Sequence, residues 1–422
     1  LAVFGGAPAF SEKLLVGRPN LGNKARLLEF VNDILDSGWL TNNGRYVREF
    51  ERRIAELVGV KHCVAVCNAT IGLEIAIRAL DLRGEVIVPS FTFAATAHAL
   101  QWQGINPVFC DVDPVTHSLD PFEVERRITP RTTGIIGVHL WGNACDTKGL
   151  EQVARKHKLR LLFDAAHAFG CSHEGRMIGN FGEAEVFSFH ATKFCNSSEG
   201  GAITTNNDEL ATRLRALRGL GFTDEETVGE VGTNGKMTEV AAAMGITSLE
   251  SMEEFVAVNR RNYLAYKKGL DGIPGIRLFN YEESESNNYQ YVVLEVDEEM
   301  AGISRDELRQ VLHAENVMAK RYFYPGCHRM NAYHYQPRNF NLRLPVTERL
   351  AEETLALPTG VAVSEQSVMM ICEIAATAVQ QSKRIHQRLT KQAEIENTRP
   401  ALDGVREAGW GLVRAGLVAA ML

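Results

Sequence analysis

Two residues carry most of the chemistry legible in this chain. Asp164 ends the run Leu161-Leu-Phe-Asp164, and Lys193 ends Glu185-Val-Phe-Ser-Phe-His-Ala-Thr-Lys193, twenty-nine residues later. Each run opens with short apolar, strand-type sequence. Taken singly, they read as a helix-capping aspartate and a surface lysine. Taken together, they are an amine able to form an imine and an acid able to hold a pyridinium nitrogen, the two groups that pyridoxal phosphate requires of a protein. Partial desolvation of Lys193 would lower its pKa and activate it. A buried Asp164 facing a ring cation avoids the cost of an isolated buried charge. His167, three residues after Asp164, falls on the same face if the segment is helical, where it can donate to the phenolic oxygen of the ring.

A phosphate needs helix N-terminal amides and hydroxyls. The run Cys67-Asn-Ala-Thr70 opens a helix directly after a strand, so the amides of Ala69 and Thr70 and the Thr70 hydroxyl are candidates. Ser188 adds a hydroxyl, a weaker assignment because strand residues alternate faces. Phe93 is a candidate to stack on the ring. The twelve His show no metal-ligand spacing, and Gly170, Gly175, Gly179 and Gly182 match no nucleotide-binding fingerprint. No metal is expected.

Positioning these groups calls for an α/β frame. Strand-like runs end near Cys67, Pro89, Asp111, Leu140, Phe163, Phe189 and Thr205, with helical runs between most of them. That alternation predicts crossover units and a largely parallel sheet. Ligands bind beyond the carboxyl ends of such strands. Asn68, Asp111, Asp164 and the His190–Lys193 loop all fall there. Val240 to Val258 reads as one long helix. After the acidic loop Asn280–Asn288 come a strand over Tyr289–Val296, a helix over Ser304–Glu315, a strand over Val317–Phe323 and a closing helix over Ser367–Ile385. The expected domains are 1–256, a large cofactor-binding domain, and 257–386, a smaller α+β domain. Residues 387–422 form a polar tail ending in the short apolar run Gly409–Leu422.

The 422 residues are 45% hydrophobic and 23% charged, with a formal net charge of -7. That balance suits a sizeable core and gives no basic surface for nucleic acid. The eight Cys include no Cys-x-x-Cys pair and read as free thiols. With no leader-like pattern and no apolar run of about eighteen residues, a cytoplasmic protein is expected.

The ordered runs Trp39-Leu-Thr-Asn42, Asn68-Ala-Thr70, Pro89-Ser-Phe-Thr-Phe93, Phe163-Asp-Ala-Ala-His167, Ser188-Phe-His-Ala-Thr-Lys193, Glu199-Gly-Gly201, Gly232-Thr-Asn-Gly-Lys-Met237 and Tyr324-Pro-Gly-Cys-His328 resemble the DegT/DnrJ/StrS family of sugar aminotransferases, from about residue 3 to 385. The resemblance implies the type I aspartate-aminotransferase fold, a pyridoxal phosphate cofactor and a homodimer with shared active sites. Within the family, Phe91–His98, Gly137–Gly142, Val231–Met237 and Tyr324–His328 are similar to 4-aminotransferases of antibiotic deoxysugar pathways. Those act on a thymidine-diphosphate 4-keto-6-deoxyglucose. Carried over by position, Lys193 is the Schiff-base lysine, Asp164 the ring-nitrogen acid and His167 the phenolate partner, often Gln in relatives. Ala69, Thr70 and Ser188 hold phosphate, and Asn234 reaches it from the other subunit. Thr41, Lys236, Tyr324 and His328 border the substrate. Ala69 departs from the usual Gly, and Lys236 from the commoner Arg, which weakens two-pronged anion recognition there. Family members that remove a C3 hydroxyl carry His at the lysine position; Lys193 favours transamination.

The expected reaction moves an amino group from glutamate to the C4 ketone of a TDP-4-keto-6-deoxyhexose. The alternatives are a C3 keto-sugar aminotransferase and a non-catalytic pyridoxal-phosphate-binding partner that regulates another enzyme.

Overall fold

The computed structural model describes residues 1–336 and 339–398. Its central sheet has seven strands: β1 (His62–Val66), β2 (Glu85–Pro89), β3 (Asn106–Cys110), β4 (Thr132–Val138), β5 (Arg160–Asp164), β6 (Ala184–Ser188) and β7 (Gly201–Thr205). Their order across the sheet is β1-β7-β6-β5-β4-β2-β3. Neighbours from β3 to β6 run parallel, and β7 runs against both β6 and β1. Every residue of β2, β6 and β7 is buried, as a sheet covered on both faces requires.

The covering helices explain that burial. On one face, α1 (Lys24–Ser37) and α2 (Arg45–Val58) bring Ile34, Phe50 and Ile54 to the core that holds Phe163 and Phe187. On the other, α3 (Ala69–Ala79) and α4 (Ala94–Gln101) bring Leu73, Ile77, Ala97 and Leu100 against Val64, Val86 and Ile203. The parallel pairing places the last residues of β5 and β6, Asp164 and Ser188, at one edge of the sheet.

The stretch read as one helix from Val240 to Val258 is two, α5 (Glu239–Glu250) and α6 (Met252–Leu270). Ser251 separates them, its φ near -104° and ψ near 6°, with its N–H bonded to the Ser248 carbonyl. A second core then surrounds a three-stranded sheet of β8 (Ile276–Leu278), β9 (Val292–Val296) and β10 (Thr354–Leu357), antiparallel throughout. In that core Tyr266, Leu294, Leu312, Leu355 and Ile371 pack together. Strand β10 and helix α1 are absent from the sequence reading. The run Val317–Phe323 is strand only at Val317–Met318, which pairs with Leu14–Leu15. Val3 belongs to the second core, and Leu1, Phe4 and Leu14 pack on it. Ser382–Thr398 is helical. The apolar run Gly409–Leu422 lies outside the described residues.

Candidate active site

Asp164 ends β5 and is 5% exposed. Its Oδ2 accepts a 2.8 Å hydrogen bond from Thr96 Oγ1, and its Oδ1 accepts the Ala166 N–H at 3.1 Å. Thr96 sits in the first turn of α4, so the Phe91–Thr96 segment delivers this donor under the carboxylate. Burial pushes the Asp164 pKa up; the Thr96 and Ala166 hydrogen bonds and the nearby charge of Lys193 oppose that rise without cancelling it.

Lys193 lies in the turn after β6, partly buried. Its pKa falls from 10.5 to about 8 because its amine is desolvated, with Asp164 partly offsetting the fall. The amine donates to the Tyr291 hydroxyl at 2.9 Å. His167 is buried, and its ring lies 4.2 Å from that of Tyr291 and stacks on Trp141 at 5.6 Å. Burial and Lys193 drive the imidazole pKa well below its ordinary value, so the ring is neutral. Its Nδ1 is enclosed and has no protein partner among the described residues.

The phosphate candidates meet at the same sheet edge. Gly201 is the register partner of Ser188 on one side and of Val66 on the other. A Cβ at Gly201 would stand 2.8 Å from the Ala69 nitrogen, so the helix start rests directly on that glycine. The Asn68 side chain caps α3 by accepting the Ile71 N–H at 2.9 Å. The Asn68 carbonyl takes Gly72. The Ala69 and Thr70 amides are thereby left as the open donors of the helix end. Glycine 235 accepts the Cys67 N–H, and Lys236 bridges to Val66, so the Asn234–Lys236 segment borders the same helix start. Asn234 itself is exposed.

Other sequence candidates are placed differently. Phe93 is 53% exposed at the start of α4. Thr41 is partly buried in the bend before α2. Tyr324 is exposed, with the Arg321 guanidinium 4.4 Å from its ring centroid. His328 is fully buried: Nδ1 is 2.7 Å from Ser90 Oγ, and Nε2 is 3.4 Å from Glu348. Both ring nitrogens are thus engaged within the protein, which fits a role in holding its segment to Ser90 rather than meeting substrate. Asp111 is also engaged internally. It accepts from the Val346 and Thr347 amides and the Thr347 hydroxyl at 2.7–3.0 Å, capping α7 (Pro345–Glu353). Tyr291 and Trp141, which contact Lys193 and His167, are residues that the sequence reading missed.

These groups fit a phosphate-bearing pyridine aldehyde. The open helix end suits the phosphate, the enclosed Nδ1 of His167 suits a ring oxygen, Asp164 suits a ring cation, and the depressed amine suits the aldehyde.

A model of the DegT/DnrJ/EryC1/StrS aminotransferase family matches residues 23–375. The chain belongs to this family. It is an aminotransferase that uses pyridoxal phosphate, and its fold is the type I fold of such enzymes. It is 37% identical over 320 residues to the dTDP-4-amino-4,6-dideoxy-D-glucose transaminase of Shigella dysenteriae, covering 76% of this chain and 87% of the relative. A GDP-perosamine synthase of Caulobacter vibrioides is 34% identical, with 84% and 95% covered. The crystal structure of DesI, solved in the presence of its TDP-sugar product, superposes with a TM-score of 0.89 at 49% identity, covering 92% of this chain and 99% of that one. Among the described residues no helix is long and apolar enough to cross a membrane.

Proposed function

We propose that this aminotransferase acts on a nucleotide sugar, moving an amino group from glutamate to the C4 ketone of a TDP-4-keto-6-deoxyhexose. The observation that carries the transamination reading is the Lys193 amine, depressed to about 8 by burial beside the enclosed Asp164 and the unpartnered Nδ1 of His167. The choice of TDP and of C4 rests on the likeness to DesI and to the Shigella transaminase.

When bound, pyridoxal phosphate supplies an electron sink for the carbon that loses or gains a proton. Lys193 would hold the aldehyde of the bound cofactor, and its amine, when free, would serve as the base and acid that carries the proton. Its depressed pKa leaves a useful fraction neutral near pH 8. Asp164, fixed by Thr96 and Ala166, would hold the ring nitrogen. The unpartnered Nδ1 of His167 would meet the ring oxygen. The amides of Ala69 and Thr70 with Ser188 would hold the phosphate. Thr41, Lys236 and Tyr324 border the sugar nucleotide.

The assembly we propose is a homodimer, with exposed Asn234 reaching the partner's phosphate site. Exposed Trp39, Leu40 and Val231 offer apolar surface for the second copy. A reducing cytoplasm suits the eight free thiols, and an antibiotic deoxysugar pathway suits the likeness to DesI.

The test is incubation with glutamate and a matched pair of nucleotide sugars, one a 4-ketone and one a 3-ketone. NMR of the product is expected to show the amine at C4. Amination only at C3 would overturn the regiochemistry. Lys193→Ala is expected to lose both the visible cofactor absorbance and turnover; an unchanged spectrum would remove Lys193 from its role.

A further inference from the structure

The segment 286–291 enters from the second core and is stitched to the catalytic loops at three successive points. Asn288 Nδ2 donates to the carbonyls of His167 and Phe169 at 2.9 and 3.1 Å. Gln290 Oε1 accepts the amide of Phe194, the residue after Lys193, at 3.3 Å. Tyr291 then meets the Lys193 amine at 2.9 Å. The backbone of Tyr291 is itself clamped. Its N–H donates to the Tyr281 hydroxyl at 3.2 Å, and that hydroxyl donates to the Tyr291 carbonyl at 2.8 Å. Tyr281 and Tyr291 are 5% and 8% exposed. The Tyr291 ring is fixed against His167 at 4.2 Å and Trp141 at 5.4 Å. Rotamer freedom is therefore small, and the hydroxyl has one position to occupy.

We propose that Tyr291 is a positioning residue for Lys193: its hydroxyl holds the amine at one place in both protonation states. A lysine that shuttles protons alternates between ammonium, which only donates, and amine, which must also accept. A phenol is both donor and acceptor, so it keeps a hydrogen bond to each form. Phenylalanine would keep the packing and lose both bonds. Burial drives the Tyr291 pKa well above 10, and the neighbouring Tyr322, Tyr281 and Asp164 push it the same way. The hydroxyl therefore stays protonated and does not compete as a base. The charged and titratable groups facing it are Lys193 and Asp164, with His167 neutral and Tyr322 and Tyr281 beyond. Of the two bonds, that from the ammonium is charge-assisted and the stronger. Loss of the hydroxyl thus disfavours the protonated amine, and the Lys193 pKa moves further down.

This inference rests on Lys193 being the proton-carrying amine, which the loss of colour in Lys193→Ala tests separately. Tyr291→Phe in the full-length holoenzyme is expected to keep the visible absorbance and KM. Its kcat should fall about 10- to 100-fold, the loss of one hydrogen bond to a charged group. The acid limb of the kcat profile should move to lower pH. A readout independent of turnover is acetylation of Lys193 by acetic anhydride in the full-length protein before cofactor is added, followed by peptide mass spectrometry across pH. Only the neutral amine reacts, so the midpoint is expected below the wild-type value in Tyr291→Phe. Tyr281→Phe, which loosens the clamp without touching Lys193, should fall between wild type and Tyr291→Phe in kcat. Wild-type kcat in Tyr291→Phe would overturn the proposal. So would a reduced kcat with an unmoved acetylation midpoint, which would mark Tyr291 as packing alone. If Tyr291→Phe fails to fold, an unmoved midpoint and unchanged kcat in Tyr281→Phe would overturn it instead.

Discussion

Replacing Lys193 with Met should stabilise the cofactor-free protein while destroying its activity. The amine titrates at about 8 in the folded chain against an ordinary 10.5. At about 1.36 kcal/mol per pKa unit, holding the side chain protonated in the fold costs about 3 kcal/mol at pH 7. That figure already includes the attraction of Asp164, which burial outweighs. The sign follows from proton counting. Between pH 8 and 10.5 the unfolded chain binds the proton more tightly, so stability rises with pH through that window. Below pH 8 the full penalty is present; above 10.5 it is gone. Methionine has nearly the same length and no charge to desolvate. The charge contribution to the gain is therefore about 3 kcal/mol at pH 7, about 2 kcal/mol at pH 9 and under about 0.5 kcal/mol at pH 10.5, less about 1 kcal/mol at every pH for the Tyr291 hydroxyl left without its 2.9 Å partner. For a chain of this length unfolding as one unit, the net gain at pH 7 is about 2 °C in Tm. Calorimetry on both proteins, stripped of cofactor, across pH 7 to 10.5 measures it. A variant no more stable than wild type at pH 7 would refute the reasoning. A gain that stays constant with pH would refute it too, because it would arise from packing and not from the charge.

Three further outcomes follow from contacts around the site. Thr96→Val removes the buried hydroxyl that donates to Asp164 Oδ2. The Asp164 pKa, already raised by burial, should rise further, so a second acid limb of kcat, below the one set by Lys193, moves up, and kcat drops about 10- to 100-fold, as expected for a bond worth about 1.5–3 kcal/mol. Gly201→Val places a Cβ 2.8 Å from the Ala69 nitrogen and from the Asn68 carbonyl carbon; displacing the helix start should weaken cofactor binding about tenfold or more, read by fluorescence titration, with secondary structure unchanged by circular dichroism. Asp111→Ala strips the α7 amides of their buried acceptor and should cost about 2–4 kcal/mol of stability in a urea titration, while the cofactor absorbance of the folded protein is retained.

What was legible in the sequence is what the chain's own neighbourhood specifies. Strand-type runs, the Asn68 cap and the residues closing β5 and β6 lie within a few positions of the signals that define them, and the parallel sheet follows from their alternation. Asp164 and Lys193 pair because Asp164 closes β5 and Lys193 lies in the turn after its parallel neighbour β6, so chain order alone puts both at the same end of the sheet. Helix α1 also carries a local signal, since Asn23 caps it and Leu27, Phe30 and Ile34 share its buried side. Tyr291 and Asp111 are another matter. An aromatic before Val292–Val296 carries no local mark that its hydroxyl will meet a lysine 98 residues earlier. Asp111 lies at a carboxyl strand end, where ligand binding is the natural expectation, yet its acceptor capacity goes to a helix 235 residues away.

Both contacts run through one apolar cluster, where Tyr291 and Leu350 and Ala351 of α7 pack with Phe91, Val112 and Trp141 beyond the sheet's carboxyl ends. The amine of Lys193 is held by the sheet through its backbone and by this cluster through Tyr291. The position of that amine is therefore set by how segment 286–291 docks on the Asp164–Phe169 loop. The three stitches formed by Asn288, Gln290 and Tyr291 are spaced along one short stretch, so a shift of that stretch moves the carbonyl of His167, the amide of Phe194 and the amine of Lys193 together. Asp111 ties a second point of the same cluster, through α7, without contacting the amine. Loosening Asp111 should cost stability first, whereas loosening Tyr291 should cost proton transfer first. The two variants, compared in one assay for unfolding and one for kcat, separate docking of the cluster from alignment of the base.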